Sequence, residues 1–232
     1  MNVATSSPSA PRRRHRVRWG LAILVATGLI FALRQPILRS LAAPLIVTES
    51  FPDATGIVLL GGDRRFDEAI QFLRLNPAGT VLLADPPPGR LVRLQILPPA
   101  VDLERKELIR RGMPTDQIAV VSWSGHEDSL SAALSRWFHD RPDDQLIVLC
   151  EAFISRELRW QLDRELPRSI ARRLAIRPLP NPAYGQSDWW RTEPGIRAFV
   201  RGWVGLVLPV IQRGTQRDWQ ECNPELFQPA TS

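Results

Sequence analysis

From Thr55 onward, short apolar runs alternate with longer stretches in which apolar positions recur every three or four residues. That alternation predicts a parallel sheet whose strands are joined by covering helices. Ile57 to Leu60 reads as the first strand, Gly61, Gly62 and Asp63 as a tight turn, and Phe66, Ala69, Ile70 and Leu73 as one face of a helix. Thr80 to Ala84 reads as the second strand. Pro86, Pro87, Pro88 and Gly89 then open a long loop that runs to about Pro99. A helix from an N-cap at Asp102 to about Arg111 ends on Gly112, with Pro114 just beyond. Ile118 to Val121 is the third strand. Ser124 and Glu127 have capping-box spacing, and Leu130, Ala133, Leu134, Trp137 and Phe138 follow at helical intervals. Leu146 to Cys150 is a continuous apolar run, as for a strand buried on both faces. Ser155 fits the cap of a helix carrying Leu158, Leu162 and Leu166, and Ala175 and Ile176 fit an edge strand. Thr192, Glu193 and Pro194 open a last helix with Ile196, Phe199, Val200, Trp203, Val204 and Val207 as its apolar stripe. Arg197 and Arg201 interrupt that stripe, and Pro209 follows it, so a core helix is expected rather than a second membrane span.

The region before this domain follows a different pattern. Residues 1–18 form a polar, basic tail with Arg12, Arg13, Arg14, Arg16 and Arg18 and no acid. Trp19 to Leu33 is uncharged, and a second apolar stretch continues to Val47. The uncharged run is short for a span, but Arg18 and Arg34 can extend their stems and place their charges at the two interfaces. The sequence therefore predicts one transmembrane helix in residues 19–33 of a juxtamembrane segment 19–47, contacting the lipid bilayer. A cleaved signal peptide is the rival, but its only small-residue site, Ala42–Ala43, is followed by Pro44 and preceded by Leu41. The arginine excess before the run predicts a single-pass protein of the inner membrane, with the N-terminus cytoplasmic and the domain outside. The expected division is a tail at 1–18, an anchor at 19–47, an α/β domain at 54–211 and a C-terminal tail at 212–232.

Charge and cysteine content change this picture little. The formal charge is +6, and five positive charges lie in the first 18 residues, so no basic face for nucleic acid is expected. The two cysteines, Cys150 and Cys222, and the three histidines, His15, His126 and His139, give no zinc-site spacing. Neither a metal nor another cofactor is expected.

The run IVLLGGDRRFDEAIQF resembles the opening of the YdcF/SanA/ElyC-like family of bacterial envelope proteins. PPPGRLVRL, KELIRRGMP followed by IAVV, LIVLCEAFISRELRW and WWRTEPGIRAF agree in the same order, so the resemblance covers about residues 54–210. It implies a Rossmann-like three-layer α/β domain behind one or two membrane helices, in the setting of cell-envelope metabolism. Members with an intact pocket carry a histidine after the fourth strand. This chain has Phe153 and Ile154 in that neighbourhood and no histidine after His139. The family's Thr-x-Glu-Asn-like signature is not legible in WSGHEDSLSAAL either.

In an open parallel sheet, ligands bind outside the carboxyl ends of the strands. Gly61, Gly62 and Arg65 could wrap an anion there with backbone N–H groups and a guanidinium; a packing turn with a surface arginine is the plainer account. Arg156 starts a helix after the fourth strand, matches a basic position of the family, and opposes the helix dipole unless an anion is near. Arg65 and Arg156 are accordingly expected to share one pocket. His126 and Glu127 are weak candidates for acid–base catalysis, since Ser124 and Glu127 already suit a cap. Cys150 reads as a buried strand end rather than a nucleophile.

Three functions follow. One is an anchored envelope domain binding a small anionic or phosphorylated ligand, another a non-catalytic binding or scaffold protein that has lost the pocket histidine, and the third a hydrolase using His126 and Glu127. Whether the protein is an enzyme, and whether Trp189 and Trp190 form a lid or core, stays open in the sequence. The anchor reading predicts that the intact mass of the membrane-extracted protein includes residues 1–43. A mature N-terminus after Ala43, or later, refutes it.

Overall fold

The computed structural model describes residues 28, 33–61, 64–123 and 129–222, with side chains described as far as Pro209. The chain divides into two compact units, Met1–Leu41 and Ala42–Ser232. In the first, residues 33–41 are helical and expose Leu33, Ile37 and Leu41. Most of the expected span 19–33 lies outside the described residues. Among the described residues, no helix is long and apolar enough to cross a membrane.

The second unit is an α/β domain with five parallel strands in the order β3-β2-β1-β4-β5. They are β1 (Gly56–Leu59), β2 (Thr80–Asp85), β3 (Ile118–Ser122), β4 (Leu146–Glu151) and β5 (Leu174–Leu179). The long helices are α1 (Arg65–Leu75), α2 (Ala100–Arg110), α3 (Leu130–Asp140), α4 (Ser155–Glu165) and α5 (Glu193–Cys222). Strand order reverses between β1 and β4. This is the topological switch of a doubly wound, Rossmann-like sheet.

Alternation along the strands divides the core in two. Ile57, Leu59, Val81, Leu83, Ile147 and Leu149 pack with Ala69, Phe72 and Leu73 of α1 and Leu108 of α2. Val58, Leu82, Val121, Val148, Cys150 and Ile176 pack on the other face with Leu134 and Phe138 of α3 and Leu162 of α4. Burial on both faces explains why β1 and β4 read as unbroken apolar runs.

Several helix ends differ from expectation. The helix after β3 begins at Leu130, and its cap is Ser129, whose hydroxyl accepts from the Ala132 N–H at 3.3 Å. Ser124 and Glu127 lie outside the described residues. α2 starts earlier than expected, behind Pro99, which leaves Asp102 in the first turn to face the helix dipole. Gly112 has φ +90, the left-handed stop that the sequence predicts. Ser155 is already helical rather than capping. α5 continues past Pro209 to Cys222.

The largest revision concerns residues 42–55. Ala42 and Leu45 are fully buried, so this stretch is a strap of the domain rather than a juxtamembrane spacer. The Ser155 hydroxyl accepts from the Val47 N–H at 2.9 Å, and its own proton faces the carbonyls of Ala152 (2.7 Å) and Leu45 (3.2 Å). Lower down, the Glu49 N–H donates to the Ile176 carbonyl at 2.8 Å, and the Ile176 N–H donates to the Glu49 carboxylate at 3.1 Å. The strap thus covers the open edge of β5, which would otherwise offer unpaired backbone groups. It reaches the amino edge at Thr55, whose N–H donates to the Gln145 carbonyl at 2.8 Å.

α5 packs through its small residues. A β-carbon at Gly202 would stand 2.5 Å from the Phe153 carbonyl oxygen. Phe199 and Trp203 turn inward, whereas Ile196, Val200, Val204 and Val207 of the predicted stripe are exposed. The glycine face, not the widest apolar face, makes the contact. Gly202→Ala should therefore destabilise by about 1 to 3 kcal/mol through overpacking, although alanine alone favours a helix by about 1 kcal/mol. A thermal melt decides this: an unchanged or raised melting temperature would refute the close approach.

Candidate functional site

Beyond the carboxyl end of β4 the chain makes a single 3-10 turn, Ala152–Ile154, before α4. After β5, residues 180–192 fold back over this end. The fold-back is fixed by local bonds: the Ala183 N–H donates to Asn181 Oδ1 at 2.9 Å, and the Gly185 N–H donates to Asp188 Oδ1 at 2.6 Å. Aromatic stacking holds it down. Tyr184 stacks on Phe153 at 5.6 Å between centroids, and Trp189 stacks on Phe199 at 3.7 Å with the ring planes 10° apart. Trp189 is therefore core rather than lid, and Trp190 meets it edge-on.

This arrangement leaves a cleft of about 410 Å³ between the end of β4 and the start of α5. Glu151, Ile154, Asn181 and Tyr184 line one wall, and Glu193, Pro194, Arg197, Ala198 and Arg201 line the other. The Tyr184 hydroxyl donates to the Glu151 carboxylate, and Arg197 pairs with Glu193 one turn away. Arg201 forms no hydrogen-bonded ion pair among the described residues. Glu157 lies within its electrostatic reach; burial pushes that carboxyl above its usual range, and Arg201 opposes the shift. The wall thus offers a carboxylate and phenol for hydroxyl groups, and a guanidinium for an anion.

The residues proposed from sequence are placed differently. Gly61 stands just beyond the end of β1, and a β-carbon there would meet nothing within 4 Å among the described residues. Gly62, His126 and Glu127 lie outside the described residues. The Arg65 guanidinium donates to Glu104 at 3.1 Å and lies over the Phe66 ring. Burial raises the Glu104 pKa, and Arg65 partly offsets the rise. Arg156 donates through Nε to the Pro44 carbonyl at 3.1 Å and so holds the strap. The two arginines leave the same edge of the sheet in opposite helical layers, and the structure does not bring them together.

No family model, curated protein or solved structure matches this chain.

The cleft residues carried signals that the sequence reading passed over. Glu151 ends the most apolar strand, Tyr184 is the chain's single tyrosine, and Arg197 and Arg201 are one turn apart at the start of α5. Their convergence depends on the fold-back of residues 180–192, which no local pattern announces.

Cys150 is fully buried at the end of β4. Burial, and secondarily the Glu151 charge, push its thiol from an ordinary 9.0 up to about 12. It is no nucleophile at neutral pH. Among the described residues, no group of three or more histidine, cysteine, aspartate or glutamate side chains could hold a metal.

A pH dependence follows from the thiol. The unfolded thiol ionises first, so the stability that the neutral form supplies is complete below pH 9 and declines as pH rises toward 12. The decline is about 1.4 kcal/mol per pH unit. Between about pH 8 and about pH 10.5 the natural protein should lose more melting temperature than Cys150→Ala does. Equal losses would show that the thiol is not the titrating group.

Proposed function

We propose that this protein is a membrane-anchored α/β domain that binds a small anionic ligand, of the phosphorylated, hydroxyl-bearing class, in the cleft between β4 and α5. One observation carries the reading: the cleft that gathers Glu151, Tyr184, Arg197 and Arg201 lies beyond the carboxyl end of β4, one of the two strands at the switch point. Open α/β sheets hold their ligands outside the carboxyl ends of their strands, and this cleft opens there, between the end of β4 and the segment that follows β5. Arg201 takes the charge of the ligand, while Glu151, held by Tyr184, accepts from its hydroxyls.

The anchor and the outward orientation are supported by the arginines of residues 1–18 and the uncharged run that follows them. Burial of Ala42 adds support, since the only small-residue cleavage site adjoins a position packed into the domain. The resemblance to the YdcF/SanA/ElyC-like family agrees with a cell-envelope setting. Binding without turnover is the form of the proposal, since the described cleft offers a carboxylate, a phenol and guanidinium groups but no imidazole.

The test is titration of the full chain with inorganic phosphate, a hexose phosphate and a nucleoside diphosphate. Arg201→Ala should weaken binding roughly ten- to a hundredfold, the cost of one charge-assisted hydrogen bond, while leaving the melting temperature nearly unchanged. Arg65→Ala should do the reverse, because Arg65 ties α1 to α2 through Glu104. If none of the three probes binds, or if Arg201→Ala binds as the natural protein does, the cleft is not the ligand site.

A further inference from the structure

The loop between β2 and α2 is built unlike the rest of the domain. Of residues 86–100, all but Val92 are exposed, yet the segment is rich in large apolar side chains. Leu91, Leu94, Ile96 and Leu97 are 48%, 57%, 63% and 51% exposed, and Leu103 at the head of α2 is 52% exposed. Isolated surface leucines need no explanation, but a contiguous group on one projection marks an interaction surface.

Charge narrows what that surface meets. No acid occurs between Asp85 and Asp102, while Arg90 and Arg93 stand among the leucines and make no ion pair among the described residues. The backbone narrows it further. Residues 90–93 form one helical turn, and Gln95, at φ 57, closes it in the left-handed conformation. The N–H groups of Arg93, Leu94, Gln95, Ile96 and Leu97 all donate to carbonyls of residues 89–92, at 2.9 to 3.3 Å. Pro86, Pro87, Pro88, Pro98 and Pro99 have no N–H to satisfy. Most backbone donors of the loop are therefore either met internally or absent. A segment can enter a low-dielectric medium only on that condition.

Position supplies the last element. The loop leaves the carboxyl end of β2, on the edge of the sheet where the strap begins at Pro44 and Leu45 beside Ser155 and Arg156.

We propose that the β2–α2 loop is a membrane-contacting element that inserts Leu91, Leu94, Ile96 and Leu97 into the surface of an anionic bilayer, with Arg90 and Arg93 at the headgroups. Apolar side chains flanked by arginines on a small, internally bonded projection suit the boundary between headgroups and acyl chains. The assignment rests on the loop's own residues and stands apart from the anchor proposed above.

The test uses the full chain carrying Cys222→Ser, with Cys150 shielded by burial. An environment-sensitive fluorophore is attached at Ile96→Cys and, in a control, at Asp116→Cys on the exposed amino edge. Vesicles are of phosphatidylcholine alone or mixed with phosphatidylglycerol, with doxyl lipids as quenchers. The label at 96 should shift to the blue and be quenched in the mixed vesicles, and the label at 116 should not. Arg90→Gln with Arg93→Gln should weaken the quenching, each arginine being worth roughly fivefold in partition onto an anionic surface.

A chain that floats with vesicles while the label at 96 stays unquenched overturns the loop proposal and leaves the anchor standing. Quenching that is lost in high salt together with flotation supports the loop and overturns the anchor. A chain that neither floats nor is quenched overturns both. A blue shift that grows with protein concentration in the absence of lipid means that a second copy covers the loop, and the lipid assignment falls.

Discussion

The last helix passes so near the turn after β4 that the Gly202 position has no room for a β-carbon beside the Phe153 carbonyl. This approach fixes the position of α5, and most of what is distinctive at the carboxyl edge depends on it. With α5 seated there, Phe199 meets the ring of Trp189 and holds down residues 180–192, which in turn bring Tyr184 to Glu151. Leu45 of the strap lies against the same glycine, its side chain 3.3 Å from where that β-carbon would be. One close contact between backbones therefore organises the strap, the fold-back and the cleft. The energy is ordinary packing energy, which falls away once the surfaces separate by even a small fraction of an atomic diameter.

The sheet was largely legible in the sequence, for a reason visible in its core. β1 and β4 are buried along nearly their whole length and β2 through its middle, and burial on both faces demands the unbroken apolar runs that mark these strands. Helix interiors were legible from spacing for the same reason. The helix ends were not. Ser155 has the right position and chemistry for a cap, but its hydroxyl instead ties the strap to the domain through Val47 and Leu45. A partner 108 residues away outbid the local one, and no window of sequence contains both.

Arginine was the second source of misreading. Nearly all the basic residues of this chain are arginine, Lys106 being its single lysine. Guanidinium groups here serve as structural clamps: Arg159 donates to the carbonyls of Ala171 and Leu174 and to Asp163. Arg111 pairs with Glu107 and Asp67, and Arg173 lies over the Phe138 ring. The planar, five-donor group is suited to that work. Arg65 pairs with Glu104 and Arg156 donates to the Pro44 carbonyl in the same manner. Arg201 differs by its setting rather than its type: it lines an open cleft.

That setting also bears on what kind of chemistry the cleft can perform. Proton transfer needs a group poised between its two states near the working pH. Cys150, adjacent in sequence to Glu151, is held neutral by the burial that makes β4 a central strand, so the thiol closest to the site is unusable as a nucleophile. The Glu151 carboxylate is already engaged by Tyr184, and Arg197 by Glu193. Groups committed to one another in this way hold their positions when a ligand arrives, and rigid, pre-paired donors and acceptors reduce the ordering cost of binding. The described cleft thus sets a carboxylate held by a phenol opposite two guanidinium groups.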